Sequence, residues 1–217
     1  MDISENIKRF KEELPEDVNL IAISKTKPVE DLFEAYETGQ RQFGENKIQE
    51  MTEKWEKLPK DIEWHMVGHV QRNKVKYMAP YVSLIHAVDS LKLLKEINKE
   101  ANKNVRSIDC LLQIKIAEED SKFGISAEKA KEILDSEEFK KLDHVKVKGL
   151  MGMATFTDDE AQVKKEFEHL KSVFEDFKKE YSNMSILSMG MSGDYKIAVD
   201  CGSNMVRIGS EIFGERN

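Results

Sequence analysis

Cysteine is almost missing from this chain. Its 217 residues hold two, Cys110 and Cys201, far apart and in no CxxC pairing. That count excludes a disulfide framework and a zinc ribbon. Long apolar runs are missing as well: none approaches the roughly 20 residues that cross a bilayer. The opening MDISENIKRFKEEL is polar and acidic, without the basic-then-apolar order of a secretory signal. The expected location is the cytoplasm, with no membrane partner. Positive charge is not in excess either. A net charge of −7 argues against a nucleic-acid partner, because phosphate binding needs clustered cations. Basic stretches such as residues 146–148 read as solvated faces. No Pro/Gly/Ser-rich linker and no low-complexity segment divides the chain, so one domain is expected over residues 1–217.

What is there is a globular balance of 40% hydrophobic and 35% charged residues, enough for a sizeable core. A short apolar run, a turn and an amphipathic helix recur along the chain, the pattern of parallel strands with crossover helices. The first strand is placed at residues 19–24. It is apolar on both parities, Ile21 and Ile23 on one and Leu20 and Ala22 on the other, as strands buried on both faces are. Pro28 suits the first turn of the next helix. There Val29, Leu32, Phe33 and Tyr36 form one helical stripe, and Gly39 ends it. Further strands are expected at residues 42–44, 63–67, 83–87, 108–116, 145–151, 185–188 and 205–208. Thr157 and Glu160 read as a capping box ahead of a helix carrying Val163, Phe167, Leu170, Phe174, Phe177 and Tyr181. An extra helix, residues 3–14, precedes the first strand. Eight units in 217 residues leave room for little else. The expected fold is a single-domain (β/α)8 TIM barrel with an extra N-terminal helix. An open doubly wound sheet is the rival.

Functional groups of such barrels collect at the C-terminal ends of the strands. Lys25 sits at such an end and shares a parity with Ile21 and Ile23, so its amine points at the barrel mouth if that parity is internal. A lysine that snorkels to solvent is the plainer alternative. The stretch SMGMSGD, residues 188–194, follows the seventh strand, and GSNMVRIGSEIFGE, residues 202–215, spans the eighth. The loops after these two strands are the usual phosphate site of barrels, with Ser192, Gly209 and Ser210 as the natural contacts. A lysine and a phosphate cradle together suggest a phosphorylated carbonyl compound held as a Schiff base. The lysine must lose its proton to react, and Lys27 is a candidate cation for lowering its pKa. Arg207, just before the Gly209–Ser210 turn, is either a surface ion-pair partner or an arginine facing the bound ring.

Seven blocks in order carry a resemblance to a known family: AISKTKP, RQFGEN, WHMVGHVQRNK, SKFGI, GLMGMA, SMGMSGD and GSNMVRIGSEIFGE. The chain resembles the YggS/PROSC family of pyridoxal 5′-phosphate (PLP) homeostasis proteins over nearly its whole length. The resemblance implies a barrel similar to the N-terminal domain of bacterial alanine racemase, with PLP as cofactor held as a Schiff base on Lys25. It implies phosphate contacts from Ser192, Gly209 and Ser210, and Arg207 beside the pyridine nitrogen. Asn46 and His65 are carried over as barrel-mouth residues, and Met191 is expected against the ring with Met189. One departure is GSN, where many members have Gly-Ser-Thr; Asn204 is thereby expected near the phosphate loop. The family is regarded as a carrier and regulator of PLP and amino-acid pools, which implies apo-PLP enzymes as partners, with no catalytic residue and no established turnover. The C-terminal domain from which racemases draw a tyrosine is not expected here.

The rivals are a PLP-dependent racemase or lyase, with Tyr195 or His65 as second proton donor; a Schiff-base aldolase acting on a sugar phosphate; and a protein-binding regulator. His65 and His69 have the i, i+4 spacing of helical metal ligands but lie at a strand-to-loop boundary without an HExxH glutamate, so no metal is expected. Cys201 reads as a small buried hydrophobe. The charged helices show no apolar outer patch, and a monomer is expected.

Overall fold

The computed structural model describes residues 2–118 and 123–215. Ser121 and Lys122 of the SKFGI block, and Asn217, lie outside the described residues. Eight parallel strands close into a barrel in chain order, β1 to β8. They are β1 Asn19–Ile23, β2 Gln42–Glu45, β3 Glu63–Met66 and β4 Val82–Val88. The second half has β5 Ile108–Gln113, β6 Val145–Met151, β7 Ile186–Met191 and β8 Met205–Ile208. A helix α1, Ile3–Glu13, precedes β1. The connections carry α2 Val29–Glu37, α3 Ile48–Lys57, α4 Val75–Met78, α5 Leu91–Lys103, α6 Ala127–Asp135, α7 Glu137–Lys140, α8 Glu160–Glu180 and α9 Tyr195–Asp200. A last short helix, α10 Ser210–Phe213, follows β8. This is the (β/α)8 barrel with an N-terminal helix, and β8 pairing with β1 removes the open-sheet alternative.

Two cores explain why the strands are apolar on both parities. The outward parity packs under the helices: Leu20 and Ala22 of β1, Phe43 of β2 and Trp64 of β3 belong to the large core that includes Leu32, Met51 and Phe167. The inward parity fills the barrel with Ile21, Ile23, Leu84, Leu111, Met151 and Met205. Size must vary between neighbours for this filling to fit. Gly44 is the small partner of Ile23: a Cβ there would lie 2.5 Å from Ile23 Cδ1.

Several local expectations shift. The strand at 185–188 runs on to Met191, and the one at 108–116 stops at Gln113. The cap of α8 is Asp159, whose carboxylate accepts from the N–H groups of Ala161 and Gln162. Thr157 instead accepts from the Asp159 N–H through its hydroxyl at 3.2 Å, so the capping box does not form. Phe33 is 47% exposed. The inward stripe of α2 is Leu32 and Ala35, and Phe33, 100° round the helix from Leu32, stacks on Tyr36 with centroids 6.1 Å apart.

Candidate functional site at the barrel mouth

The inward parity that places Ile21 and Ile23 in the barrel carries Lys25 to its rim. The register pairs Ile23 with Gly44 and Gly44 with His65. Two residues further on, Asn46 therefore stands level with Lys25, while His65 lies one inward row lower. A cleft of about 690 Å³ opens there, at the C-terminal ends of the strands. Lys25, Asn46, Met191, Ser192, Arg207, Gly209 and Ser210 all line it. Asn46 is held by close backbone packing: a Cβ on Gly68 would meet the Asn46 carbonyl oxygen at 2.4 Å.

His65 is the exception. It is not a mouth residue but a buried one, 3% exposed, with Nδ1 2.9 Å from His86 Nε2. His86 Nδ1 lies 3.0 Å from Ser188 Oγ, and Arg207 donates from Nη1 to the same oxygen at 2.6 Å. A hydrogen-bonded line thus crosses the barrel floor from β3 to β8. A guanidinium only donates, so the Ser188 hydroxyl proton is free to go to His86 Nδ1. His86 Nε2–H then donates to His65 Nδ1, and both imidazoles stay neutral. Their electrostatics agree. Burial lowers the pKa of His65 to about 3, and burial, His65 and Arg207 hold His86 well below its usual value. Arg207 Nη2 also donates to the Gly152 carbonyl at 3.0 Å. Burial lowers its pKa to about 10, with Asp194 opposing, so at neutral pH it is a fixed cation under the cleft. At 4% exposed it does not lie at the surface.

The loops after β7 and β8 meet. The Gly209 N–H donates to Ser192 Oγ at 3.3 Å. The turn at Met191–Asp194 is closed by the Met191 N–H on Asp194 Oδ1 at 2.6 Å and the Asp194 N–H on the Met191 carbonyl at 3.0 Å. A bulge aims this loop at the mouth: β7 pairs Ser188 with Met205 but Met191 with Arg207, one residue too many. Gly190 absorbs the difference at φ +98. The bulge also separates the two methionines: Met191 lines the cleft, whereas Met189 is in the outer core. The helices that follow have six and four residues, so the polar groups these loops turn to the cleft are backbone N–H and hydroxyl groups with little helix dipole behind them.

The segment around Lys25 holds residues the sequence reading missed. Lys25 is the second residue of a turn closed by the Lys27 N–H on the Ser24 carbonyl, at 3.1 Å. Thr26, the third, has φ +65. A β-branched residue there stores on the order of 1–2 kcal/mol of strain. Behind the turn, Lys54 of α3 donates to the Ser24 carbonyl, to Glu45 Oε1 and to Glu50 Oε1, each at 2.7 Å. The Thr26 N–H donates to Glu50 Oε1 at 2.6 Å, and Ser24 Oγ donates to Glu45 Oε1 at 2.6 Å. Met51, Lys54 and Leu58 are spaced i, i+3, i+7: a cation inside an apolar stripe was the available signal. Lys27 does not serve as the expected neighbouring cation of the cleft. Its Nζ donates to the Glu215 carbonyl at 2.8 Å, and it is not among the lining residues.

Other candidates lie elsewhere. Tyr195 turns away towards α1, its hydroxyl donating to Glu13 at 2.9 Å and its ring edge-on to Phe10. His69 stacks on Phe123 with centroids 5.4 Å apart, apart from buried His65, and no metal-binding cluster occurs among the described residues. Asn204 is not near the phosphate loop. It precedes β8 and bonds Ser185 and Leu187 at the start of β7, about 16 Å along the strand from Gly209. Cys201, at the same end, is half-exposed. Phe123 and Phe156, 60% and 92% exposed, form an aromatic rim that the sequence did not flag. No helix among the described residues is long and apolar enough to cross a membrane.

The family model "Alanine racemase, N-terminal domain" matches residues 2–217. The pyridoxal phosphate homeostasis protein of Pasteurella multocida is 40% identical over 206 residues, 92% of this chain and 87% of that one. The protein of the same name from Helicobacter pylori is 41% identical over 202 residues, 91% and 88% of the two chains. The chain belongs to the pyridoxal phosphate homeostasis protein family. The structure of PipY from Synechococcus elongatus with PLP bound superposes with a TM-score of 0.89 at 31% identity, covering 98% of this chain and all of PipY. Alanine racemase of Clostridium difficile shares the fold at TM-score 0.80 and 18% identity, and this chain spans 56% of its length.

Proposed function

We propose that the chain binds PLP at the barrel mouth, holds it through a covalent bond to Lys25, and serves intracellular PLP and amino-acid homeostasis. The observation that carries the reading is convergence. One cleft brings together a half-buried lysine at the end of β1, the joined Ser192–Gly209 loops and the buried cation Arg207. These groups fit PLP. Bound there, PLP supplies an aldehyde that condenses with an amine, with loss of water. Ser192 and the N–H groups at Gly209 and Ser210 suit its phosphate, and Gly193 leaves that loop open, since a Cβ there would meet nothing within 4 Å. Met191 and Ile23 offer apolar surface to a ring. Arg207 at the floor disfavours protonation of a nearby pyridine nitrogen and so weakens the ring as an electron sink.

A racemase or lyase needs a second acid–base group at the cleft. Tyr195 is engaged by Glu13 and His65 is sealed under the floor, which favours holding and exchange of PLP over turnover. Delivery to apo-PLP enzymes, a monomeric state and a cytoplasmic location belong to the same proposal.

The test is the near-ultraviolet and visible absorbance of the purified protein with PLP, beside Lys25→Ala. The expected result is a near-visible band that borohydride bleaches, leaving the cofactor mass on a Lys25 peptide, and no band in the variant. A wild-type protein that stays colourless with PLP would overturn the reading.

A further inference from the structure

The turn that presents Lys25 is gripped from behind by a single ammonium. Two peptide planes flank the Lys25 Cα, and both are tied to one cluster. The carbonyl of the first, on Ser24, accepts from Lys54 Nζ; the N–H of the second, on Thr26, donates to Glu50, which Lys54 also holds. The cluster thereby sets the backbone angles of Lys25 and the direction of its side chain. Lys54 spends all three of its donors on this task. Thr26 stays left-handed although it is free of any glycine-like tolerance, so the surroundings must hold it there.

Stability alone does not explain the cluster. Lys54 is 5% exposed and Glu45 fully buried, and Glu45 Oε2 has no hydrogen-bond partner among the described residues. Burial raises the Glu45 pKa against the opposing pull of Lys54. Apolar residues of similar volume generally fill such a place at lower cost. None of Glu45, Glu50 and Lys54 is among the residues that line the cleft.

We propose that Lys54, with Glu45 and Glu50, is the positioning device for Lys25, holding its amine on the line of attack towards an aldehyde anchored by the Ser192–Gly209 loops. The inference rests on the reading of Lys25 given above. In the step it serves, the neutral amine adds to the aldehyde carbon, a carbon–nitrogen bond replaces the carbonyl, and the oxygen leaves as water with no change of oxidation state.

The experiment compares wild type with Lys54→Met/Glu45→Gln, which removes both buried charges together, and with Glu50→Ala and Glu50→Gln on the half-buried margin of α3. Two quantities are read: the rate of covalent capture of PLP at Lys25, trapped by borohydride and followed by mass, and the dissociation constant of pyridoxine 5′-phosphate. The second ligand keeps ring and phosphate but carries an alcohol, so it reports the anion loops and floor without Lys25. The double variant should slow capture by about ten-fold or more while the alcohol binds as in wild type, because only orientation is lost. Glu50→Ala should slow capture several-fold, and Glu50→Gln, whose amide oxygen still accepts from Thr26 and Lys54, should restore most of it. Capture unchanged in the double variant and in Glu50→Ala overturns the proposal. So does a parallel loss of capture and of alcohol binding, which would mark the cluster as support for the fold. If the double variant does not fold, the Glu50 pair decides. A wild type that captures no PLP at Lys25 fails the earlier reading and this proposal together, whereas normal wild-type capture with unaffected variants fails this proposal alone.

Discussion

Arg207 and Ser188 join β8 to β7 inside the barrel, Nη1 to Oγ at 2.6 Å, and the same oxygen lies 3.0 Å from His86 Nδ1. One hydroxyl therefore separates a buried guanidinium from a buried imidazole, accepting from the first and able to donate to the second. Ser188→Ala leaves a charged N–H and an imidazole nitrogen without that partner. We expect a loss of about 1–3 kcal/mol, read as a lower urea midpoint at unchanged slope.

The neutral histidine pair makes stability depend on pH. His65 is held at about 3 and His86 well below its usual value, against about 6.5 in an unfolded chain. Below pH 6.5 the unfolded chain binds protons that the folded chain refuses, so stability is full above that pH and falls as pH is lowered. The slope is about 1.4 kcal/mol per pH unit for each histidine. Urea midpoints between pH 7 and 5 should fall for wild type and fall less for His65→Asn, whose side-chain oxygen still accepts from His86. Equal slopes would show that the pair is not held neutral.

Two glycines predict opposite outcomes. A Cβ on Gly149 would lie 1.7 Å from the Ile186 carbonyl oxygen, where β6 meets β7. Gly149→Ala must push the two strands apart, and we expect at least about 3 kcal/mol of destabilisation or failure to fold. Gly193 has open space around its would-be Cβ, so the melting point of Gly193→Ala should match wild type, within the equivalent of about 0.5 kcal/mol.

Tyr195→Phe separates holding from turnover. The hydroxyl bonds Glu13, and burial together with that carboxylate raises its pKa to about 12, so it is a poor acid–base group. We expect a modest loss of stability, about 1 kcal/mol, with the yield and pH dependence of PLP capture at Lys25 unchanged. A changed pH profile of capture would return Tyr195 to the cleft.

Much of the architecture is written in local patterns. The two apolar parities of residues 20–23 require a strand buried on both faces, and repeating them with crossover helices leads to the barrel. Lys25, Ser192, Gly209 and Ser210 were legible because strand parity and strand ends locate a barrel mouth without coordinates, whereas Asn46 and the role of Arg207 came only from the family resemblance. Two of the misses have different causes. His65 has the right parity for the mouth but sits one row too low, and row height depends on inter-strand register, which is not a property of any single strand. Asn204 is close to Gly209 in sequence but at the opposite end of β8.

The sequence by itself determined the fold class, the end of the barrel that carries the site and the chemical types gathered there, because period-two and period-3.6 patterning are local. Only the tertiary structure decided which polar groups are bonded to which. Lys54 looks like half of an ordinary i, i+4 pair with Glu50 until α3 packs on β1 and delivers its ammonium to the Ser24 carbonyl. His86 has no visible partner until closure brings β3, β4 and β7 around one floor. Burial gives those bonds their strength and their selectivity, since a polar group removed from water must find its partner inside the protein.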